Sequence, residues 1–127
     1  MPHLIVDAGT TLPAELVERA LFDAHAALLT SGEVQDPRDL KSRSRRVESS
    51  IVGAFDSSGP GAFLHAELLL LPGRPYATMQ HLGQLVLDAV AAALAGIPAE
   101  LSVEVRELAR PYLKHRATTS AQDTLDD

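Results

Sequence analysis

Pro2 is the residue of this sequence whose position most directly suggests chemistry. It follows Met1 and precedes the apolar run Leu4-Ile5-Val6. Methionine aminopeptidases remove a first methionine before small residues and before proline, so the mature chain would begin with a secondary amine. Such an amine has an ordinary pKa of about 8, and burial or a nearby cation lowers this pKa. We therefore predict a general base at Pro2; the alternative is that Pro2 only satisfies amino-terminal processing and begins an edge strand.

A cluster of positive charge lies between residues 38 and 46. Five of the eleven lysines and arginines fall within these nine positions, namely Arg38, Lys41, Arg43, Arg45 and Arg46. In an extended segment, Lys41, Arg43 and Arg45 would project to one side. Guanidinium groups bind carboxylates through two hydrogen bonds, so this side suits a substrate with two or three carboxylates, and its charge would lower the pKa of a nearby amine. The alternative is a solvated strand edge, or ion pairs between subunits.

Arg74 is a second candidate for anion binding. It lies within Pro72-Gly73-Arg74-Pro75, between an apolar run and a helical pattern, and ligand groups often gather at such turns in α/β units. The alternative is a polar loop residue without a ligand. The five histidines have no spacing that identifies a metal site, so we expect no metal.

Composition restricts the remaining classes of function. A chain of 127 residues that is 46% hydrophobic can form one domain with a core. Its net charge of −6 argues against general binding to nucleic acid or to an anionic membrane. The absence of cysteine excludes disulfides and thiol catalysis and fits the cytoplasm. We expect no signal peptide, because the first apolar run is only about three residues long and Asp7 interrupts it, and the sequence contains no continuous apolar span of about 18 residues.

The pattern of apolar residues predicts a repeated order of elements. We expect a strand at 3–7, a turn at 9–11 that supplies a helix N-cap, and a helix ending near 31–32. A basic strand at 36–47 follows, with further β character at 49–55 and a turn at 56–61 that makes a hairpin plausible. A strand at 63–71, a helix that ends near Gly96 and a strand at 101–108 complete the pattern.

The two halves of the chain, about 2–55 and 62–108, therefore share one plan, which indicates an internal duplication. Two βαβ units with right-handed crossovers form a four-stranded mixed sheet with two helices on one face, an α+β (α/β-like) fold. We expect a single domain over residues 1–115 and a polar, flexible tail over 116–127. The uncovered face of such a sheet predicts an oligomer.

Several segments together resemble 5-carboxymethyl-2-hydroxymuconate isomerase of the tautomerase superfamily. They are Met1-Pro2-His3-Leu4-Ile5-Val6, Leu40-Lys41-Ser42-Arg43, His65-Ala66-Glu67-Leu68 running into Gly73-Arg74, and Val103-Glu104-Val105-Arg106-Glu107-Leu108. The resemblance extends to about Lys114, and it rests on the order and spacing of the segments more than on any one motif. It implies the duplicated βαβ fold, a homotrimer and an active site that uses no cofactor.

The resemblance also implies roles for the candidate residues. Pro2 would be the base and then the acid that moves a proton between a dienol and its conjugated ketone. Arg74 and Arg43 match arginines of the family, and Lys41 falls where the family usually has an arginine that binds substrate carboxylate. Lysine lacks the planar fork of arginine, and the stretch after Arg43 departs from the aromatic-containing segment expected there.

The sequence thus predicts an isomerase for an unsaturated 2-hydroxy or 2-oxo polycarboxylate, with 5-carboxymethyl-2-hydroxymuconate of homoprotocatechuate degradation as the favoured substrate. Two alternatives stay open. One is a non-catalytic oligomer of the same fold that binds a carboxylate ligand or a protein partner. The other is a superfamily enzyme that uses the same proline for dehalogenation or decarboxylation.

Overall fold

Four strands and two long helices make up the structure, a computed structural model that describes residues 2–54 and 61–117. In chain order the elements are β1 (His3–Gly9), α1 (Ala14–Thr30), a 3₁₀ turn (Pro37–Asp39), β2 (Lys41–Val47), β3 (Phe63–Leu70), α2 (Tyr76–Ala93) and β4 (Glu100–Glu107). The predicted order of strands and helices is therefore present, including the basic strand β2.

The sheet joins two βαβ units through its central strands. Its order is β2-β1-β3-β4, with β1 parallel to β2, β3 parallel to β4, and β1 antiparallel to β3. The duplication is visible in the hydrogen bonds. Lys41 N donates to Pro2 O at 3.1 Å before β1, and Glu100 N donates to Ala62 O at 3.0 Å before β3. This is the four-stranded mixed sheet with two helices that the sequence predicts.

Both helices cover one face of the sheet because alternate strand residues point towards them. On β1 these are Leu4, Val6 and Ala8, all fully buried, and they join one core with the apolar stripes of both helices. The packing of α2 on β4 is especially close at Gly83, where an added Cβ would lie 2.7 Å from Val105 Cγ2. Among the helices of the described residues, neither is long and apolar enough to span a membrane.

Two local predictions are wrong. Residues 49–54 form no strand, and β3 pairs with β1 and β4 rather than in a hairpin with this segment. Residue 55 lies outside the described residues. Both neighbouring positions beside β3 are filled by strands that are distant in sequence, which local propensity does not reveal. The start of α1 also lacks the expected side-chain cap from the turn at 9–11, since Pro13 is the N-cap residue.

The opposite face of the sheet carries charged side chains. Arg45 Nε lies 2.7 Å from Asp7 Oδ1, and Arg106 Nη2 lies 2.7 Å from Glu67 Oε2. These carboxylates raise the pKa of each arginine through hydrogen bonds and charge. We call this surface the open face, because no helix covers it among the residues described.

Candidate active site

A cavity of about 490 Å³ lies beside the residue that precedes β1. Pro2 lines it together with Asp39 and with Arg74 from the turn between β3 and α2. Its remaining wall comes from Gly32, Glu33, Val34, Gln35 and Leu71. A volume of this size is typical of small-molecule sites. The cavity thus joins two of the residues that the sequence selected, from opposite halves of the chain.

Pro2 is held in place by the central position of β1. Its side chain is buried, and its carbonyl oxygen accepts the hydrogen bond from Lys41 N at 3.1 Å. Pro2 does not begin an edge strand, because β1 lies between β2 and β3. The structure therefore does not support the part of the alternative in which Pro2 begins an edge strand.

Arg74 reaches the cavity from a tight turn. Gly73 before it has a φ of +117°, in the left-handed region that glycine tolerates best, and Pro75 after it is the N-cap residue of α2. The guanidinium Nη2 donates to the backbone oxygen of Glu33 at 3.0 Å, and Nε lies 3.5 Å from Glu33 Oε1. Arg74 is therefore oriented by one residue of the loop after α1.

Lys41 lies next to this cavity but is not among the residues that line it. Its Nζ donates to the backbone oxygen of Asp39 at 3.1 Å. Asp39 itself lines the cavity, so Lys41 contacts a residue of the cavity wall. The structure thus places Lys41 near the candidate base without showing a contact between the two side chains.

Arg43 points to the open face instead of into the cavity. Its Nη1 lies 3.2 Å from His3 Nδ1, and the other nitrogen of that ring, Nε2, lies 2.9 Å from the Tyr112 hydroxyl. Partial burial, followed by the charges of Arg43 and Lys41, lowers the pKa of His3. A neutral ring accepts from Arg43 at Nδ1 and donates from Nε2 to Tyr112, so the structure groups Arg43 with His3 and not with Arg74.

Sequence reasoning missed the acidic residues that hold these cations. Glu33 contacts Arg74, while Asp36 and Asp39 contact Arg38, Lys114 and Arg116. Arg116, the first residue of the predicted tail, makes ion pairs with two aspartates, and residues 118–127 of that tail lie outside the described residues. A usable signal was the presence of three acidic residues, Glu33, Asp36 and Asp39, shortly before the strand β2.

A mixed cluster on the open face offers a different chemistry. One ligand atom from each of His65, Glu67 and Glu104 lies within 4.8 Å of the others. Arg106 already contacts both glutamates, at 2.7 and 3.8 Å, and Ser102 Oγ lies 2.7 Å from His65 Nδ1. These contacts make an ion-pair network the simplest account of the cluster.

A second cavity, of about 300 Å³, lies between α2 and β4. Its lining includes Tyr76, Met79 and Val105 and carries no charged side chain. A polycarboxylate bound in this second cavity would have no cationic side chain to pair with. The cavity beside Pro2 is therefore the better candidate for such a ligand.

No protein-family model matches the chain, and no curated protein matches it by sequence. Its structure, in contrast, is similar to several solved structures. One is a 5-carboxymethyl-2-hydroxymuconate isomerase from Deinococcus radiodurans R1, with a TM-score of 0.77, 21% identity, and coverage of 92% of this chain and 90% of that one. Another is a 5-carboxymethyl-2-hydroxymuconate delta-isomerase, with a TM-score of 0.77, 18% identity, and coverage of 100% and 93%.

A fused 4-OT protein described as a symmetric trimer has a TM-score of 0.68 and 17% identity, with coverage of 96% of this chain and 98% of that one. This chain has the tautomerase-like fold. At these identities the likeness establishes the architecture, and it agrees with the resemblance read from the sequence. Within this tautomerase-like fold, the residue before β1 and the turn after β3 lie at one cavity.

Proposed function

We propose that the chain is a cofactor-independent isomerase that moves a proton within an unsaturated 2-hydroxy or 2-oxo polycarboxylate. The proposed substrate is 5-carboxymethyl-2-hydroxymuconate in aromatic acid degradation in the cytoplasm, and the proposed assembly is a homotrimer. The observation that carries this proposal is the shared cavity of Pro2 and Arg74 in a tautomerase-like fold.

Each side chain has a proposed role in the proton transfer. The Pro2 nitrogen, once Met1 is removed, takes the hydroxyl proton of the dienol and returns a proton to carbon. Arg74 binds a carboxylate through its planar fork, while Lys41 contributes a point charge that stabilises developing negative charge. Arg43 contacts His3, so we propose that it acts on substrate from the open face, where a neighbouring subunit would meet it.

Two features support a site for anions in a chain of net charge −6. Arg74 is anchored by a backbone oxygen as well as by a carboxylate, so its orientation does not depend on the ligand. Lys41 is anchored by a backbone oxygen, which leaves its charge uncompensated at that contact. Preorganised cations of this kind favour negative charge without further rearrangement.

The first experiment is an intact mass of protein purified without an amino-terminal tag. We expect the mass of a chain that begins at Pro2. Retained Met1 in fully processed protein would make the Pro2 nitrogen an amide, which has no basic lone pair, and would contradict the proposed mechanism.

The second experiment compares Pro2→Ala with Pro98→Ala in a spectroscopic assay of the muconate isomerisation. Loss of a positioned acid–base group should lower kcat by at least ~10²-fold for Pro2→Ala. Pro98 lies in the turn before β4, away from the cavity lining, so its replacement should leave kcat within about twofold. Equal rates for Pro2→Ala and the unaltered protein would exclude Pro2 as the base.

A further inference from the structure

A serine and a histidine meet outside the cavity of Pro2, where β2 packs against α1. Ser42 Oγ lies 2.6 Å from His25 Nδ1, and both side chains are partly buried. With the ring proton on Nε2, the Nδ1 nitrogen accepts a hydrogen bond from the serine hydroxyl. A hydroxyl that donates to an imidazole has the arrangement of a nucleophile with its general base. The pair therefore offers the chemistry of acyl transfer.

A third cavity, of about 280 Å³, lies beside this pair. Its other lining residues, Glu18, Leu21 and Phe22, all come from α1. The Phe22 side chain is 71% exposed, so an apolar group that packs against it would remove apolar surface from water, which favours binding. The lining contains a carboxylate and no lysine or arginine. This cavity thus suits a small neutral ligand, unlike the cavity beside Pro2.

The backbone of β2 supplies a further polar group at Ser42. Lys41 N points towards β1, since it donates to Pro2 O at 3.1 Å. Successive N–H groups of a strand point to opposite sides, so Ser42 N–H points away from β1. Since β2 lies at the edge of the sheet, no strand of the described residues pairs with this group. An N–H group beside a nucleophile can bind the negative oxygen of a tetrahedral intermediate.

We propose that Ser42 is a nucleophile that accepts a short acyl group from a neutral ester, with His25 as its base. Ser42 Oγ attacks the carbonyl carbon while its proton passes to His25 Nδ1. The bond from that carbon to the leaving alcohol then breaks, and the alcohol takes the proton from His25. Water, deprotonated by His25, next attacks the acyl group on Ser42, and this releases the carboxylic acid and restores the hydroxyl.

Labelling of the unaltered protein with p-nitrophenyl butyrate tests the nucleophile. Absorbance would follow the release of p-nitrophenol, and peptide mass mapping would locate the butyryl group. We expect the label on Ser42, with less than about one tenth of that level on Ser44 or Ser102, because a positioned base accelerates a reaction by roughly 10²–10⁴-fold.

The two other serines are internal controls. Ser44 lies two positions along β2 on the same side, and its side chain makes no hydrogen bond with another described residue. Ser102 Oγ lies 2.7 Å from His65 Nδ1 but does not line this cavity. Labelling of Ser44 equal to that of Ser42 would show that His25 does not activate Ser42. Equal labelling of Ser102 would show that the cavity has no role, and either result overturns the proposal.

His25→Asn separates a base from a structural contact. An asparagine oxygen can accept the hydrogen bond of the Ser42 hydroxyl, but it is not basic. Labelling of Ser42 should therefore slow by at least ~10²-fold, whereas a purely structural pair would give equal rates in both proteins. Phe22→Ala should slow labelling by the butyrate ester more than by the acetate ester, because the longer chain loses more apolar contact. If His25→Asn does not fold by circular dichroism, the comparison of serines and Phe22→Ala decide the result.

Pro2→Ala distinguishes this activity from the proposed isomerisation. Labelling of Ser42 should continue at an unchanged rate in this variant, since Pro2 does not line the third cavity. The amine of Pro2 is itself a nucleophile, so a butyryl group found only at the amino terminus of the unaltered protein would exclude the role of Ser42. Selective labelling of Ser42 in a protein that isomerises no muconate would support the nucleophile and contradict only the proposed isomerase.

Discussion

At the scale of one residue, the protonation state of His3 determines which hydrogen bonds form next to the candidate site. It follows Pro2 directly and stands between Arg43 and Tyr112. A protonated ring cannot accept from Arg43, because both of its nitrogens then donate. The neutral ring therefore connects Arg43 of β2 with Tyr112, which follows β4.

We predict that His3 makes the free energy of unfolding fall as the pH is lowered below about 6.5. Its pKa is lower in the folded chain, so the unfolded chain binds more protons between the lowered pKa and the ordinary value. Stability then rises with pH in that window. Urea unfolding at pH 7.5 and pH 5.5, at one protein concentration, should show a larger loss for the unaltered protein than for His3→Gln. Equal losses would show that His3 does not contribute.

Lys41 illustrates what sequence can establish about a single side chain. The predicted basic strand would put Lys41 and Arg43 on one side, and the structure has a strand, β2, over these residues. It did not suggest that Lys41 would contact a backbone oxygen, or that Arg43 would contact a histidine from another strand. Those contacts depend on the register of β1 and β2, which a single sequence does not contain.

At the scale of elements, the close contact of α2 with β4 fixes one helix on the sheet. Alanine normally stabilises a helix interior by about 1 kcal/mol relative to glycine. At Gly83, however, the added Cβ would lie 2.7 Å from Val105 Cγ2, and overpacking costs about 1–3 kcal/mol. We predict that Gly83→Ala lowers the free energy of unfolding by roughly 1 kcal/mol.

Val105→Ala provides the control for this prediction, because it removes the Cγ2 methyl group with which the Cβ of Gly83→Ala would clash. In the Val105→Ala background, Gly83→Ala should be neutral or stabilising when both are measured by urea unfolding. Destabilisation of similar size in both backgrounds would show that the contact is not the cause.

The sequence predicted elements well where apolar periodicity was strong, as in both helices and in β3 and β4. It failed at residues 49–54, where β propensity had no neighbouring strand to pair with. The polar composition from residue 116 predicts a tail. It does not predict that Arg116 makes ion pairs with Asp36 and Asp39, because contacts between residues so distant in sequence leave no local pattern.

At the scale of the whole molecule, the open face is the surface on which we expect copies of the chain to meet. Arg106 contacts Glu67 and Glu104 there. If this face is buried in a homotrimer, Arg106→Glu would place a third carboxylate beside these two. Like charges brought together at an interface cost several kcal/mol, so we predict that light scattering will show a trimer for the unaltered protein and a monomer for this variant.

Arg19→Glu is the control for that charge reversal. Arg19 is exposed on α1, on the far side of the core from the open face, so the trimer should persist. A trimer that survives Arg106→Glu would place the subunit contacts on another surface.

The hydrogen bonds from Lys41 to Pro2 and from Glu100 to Ala62 put Ala62 in the second half at the position that Pro2 has in the first. Because β1 and β3 run antiparallel, these two positions lie at opposite ends of the sheet. The nitrogen of Ala62 is a peptide amide, so under the proposed mechanism the second half keeps the geometry of a catalytic position without its base. A circularly permuted chain that begins at residue 62, with Ala62→Pro, would move the secondary amine to that unused copy.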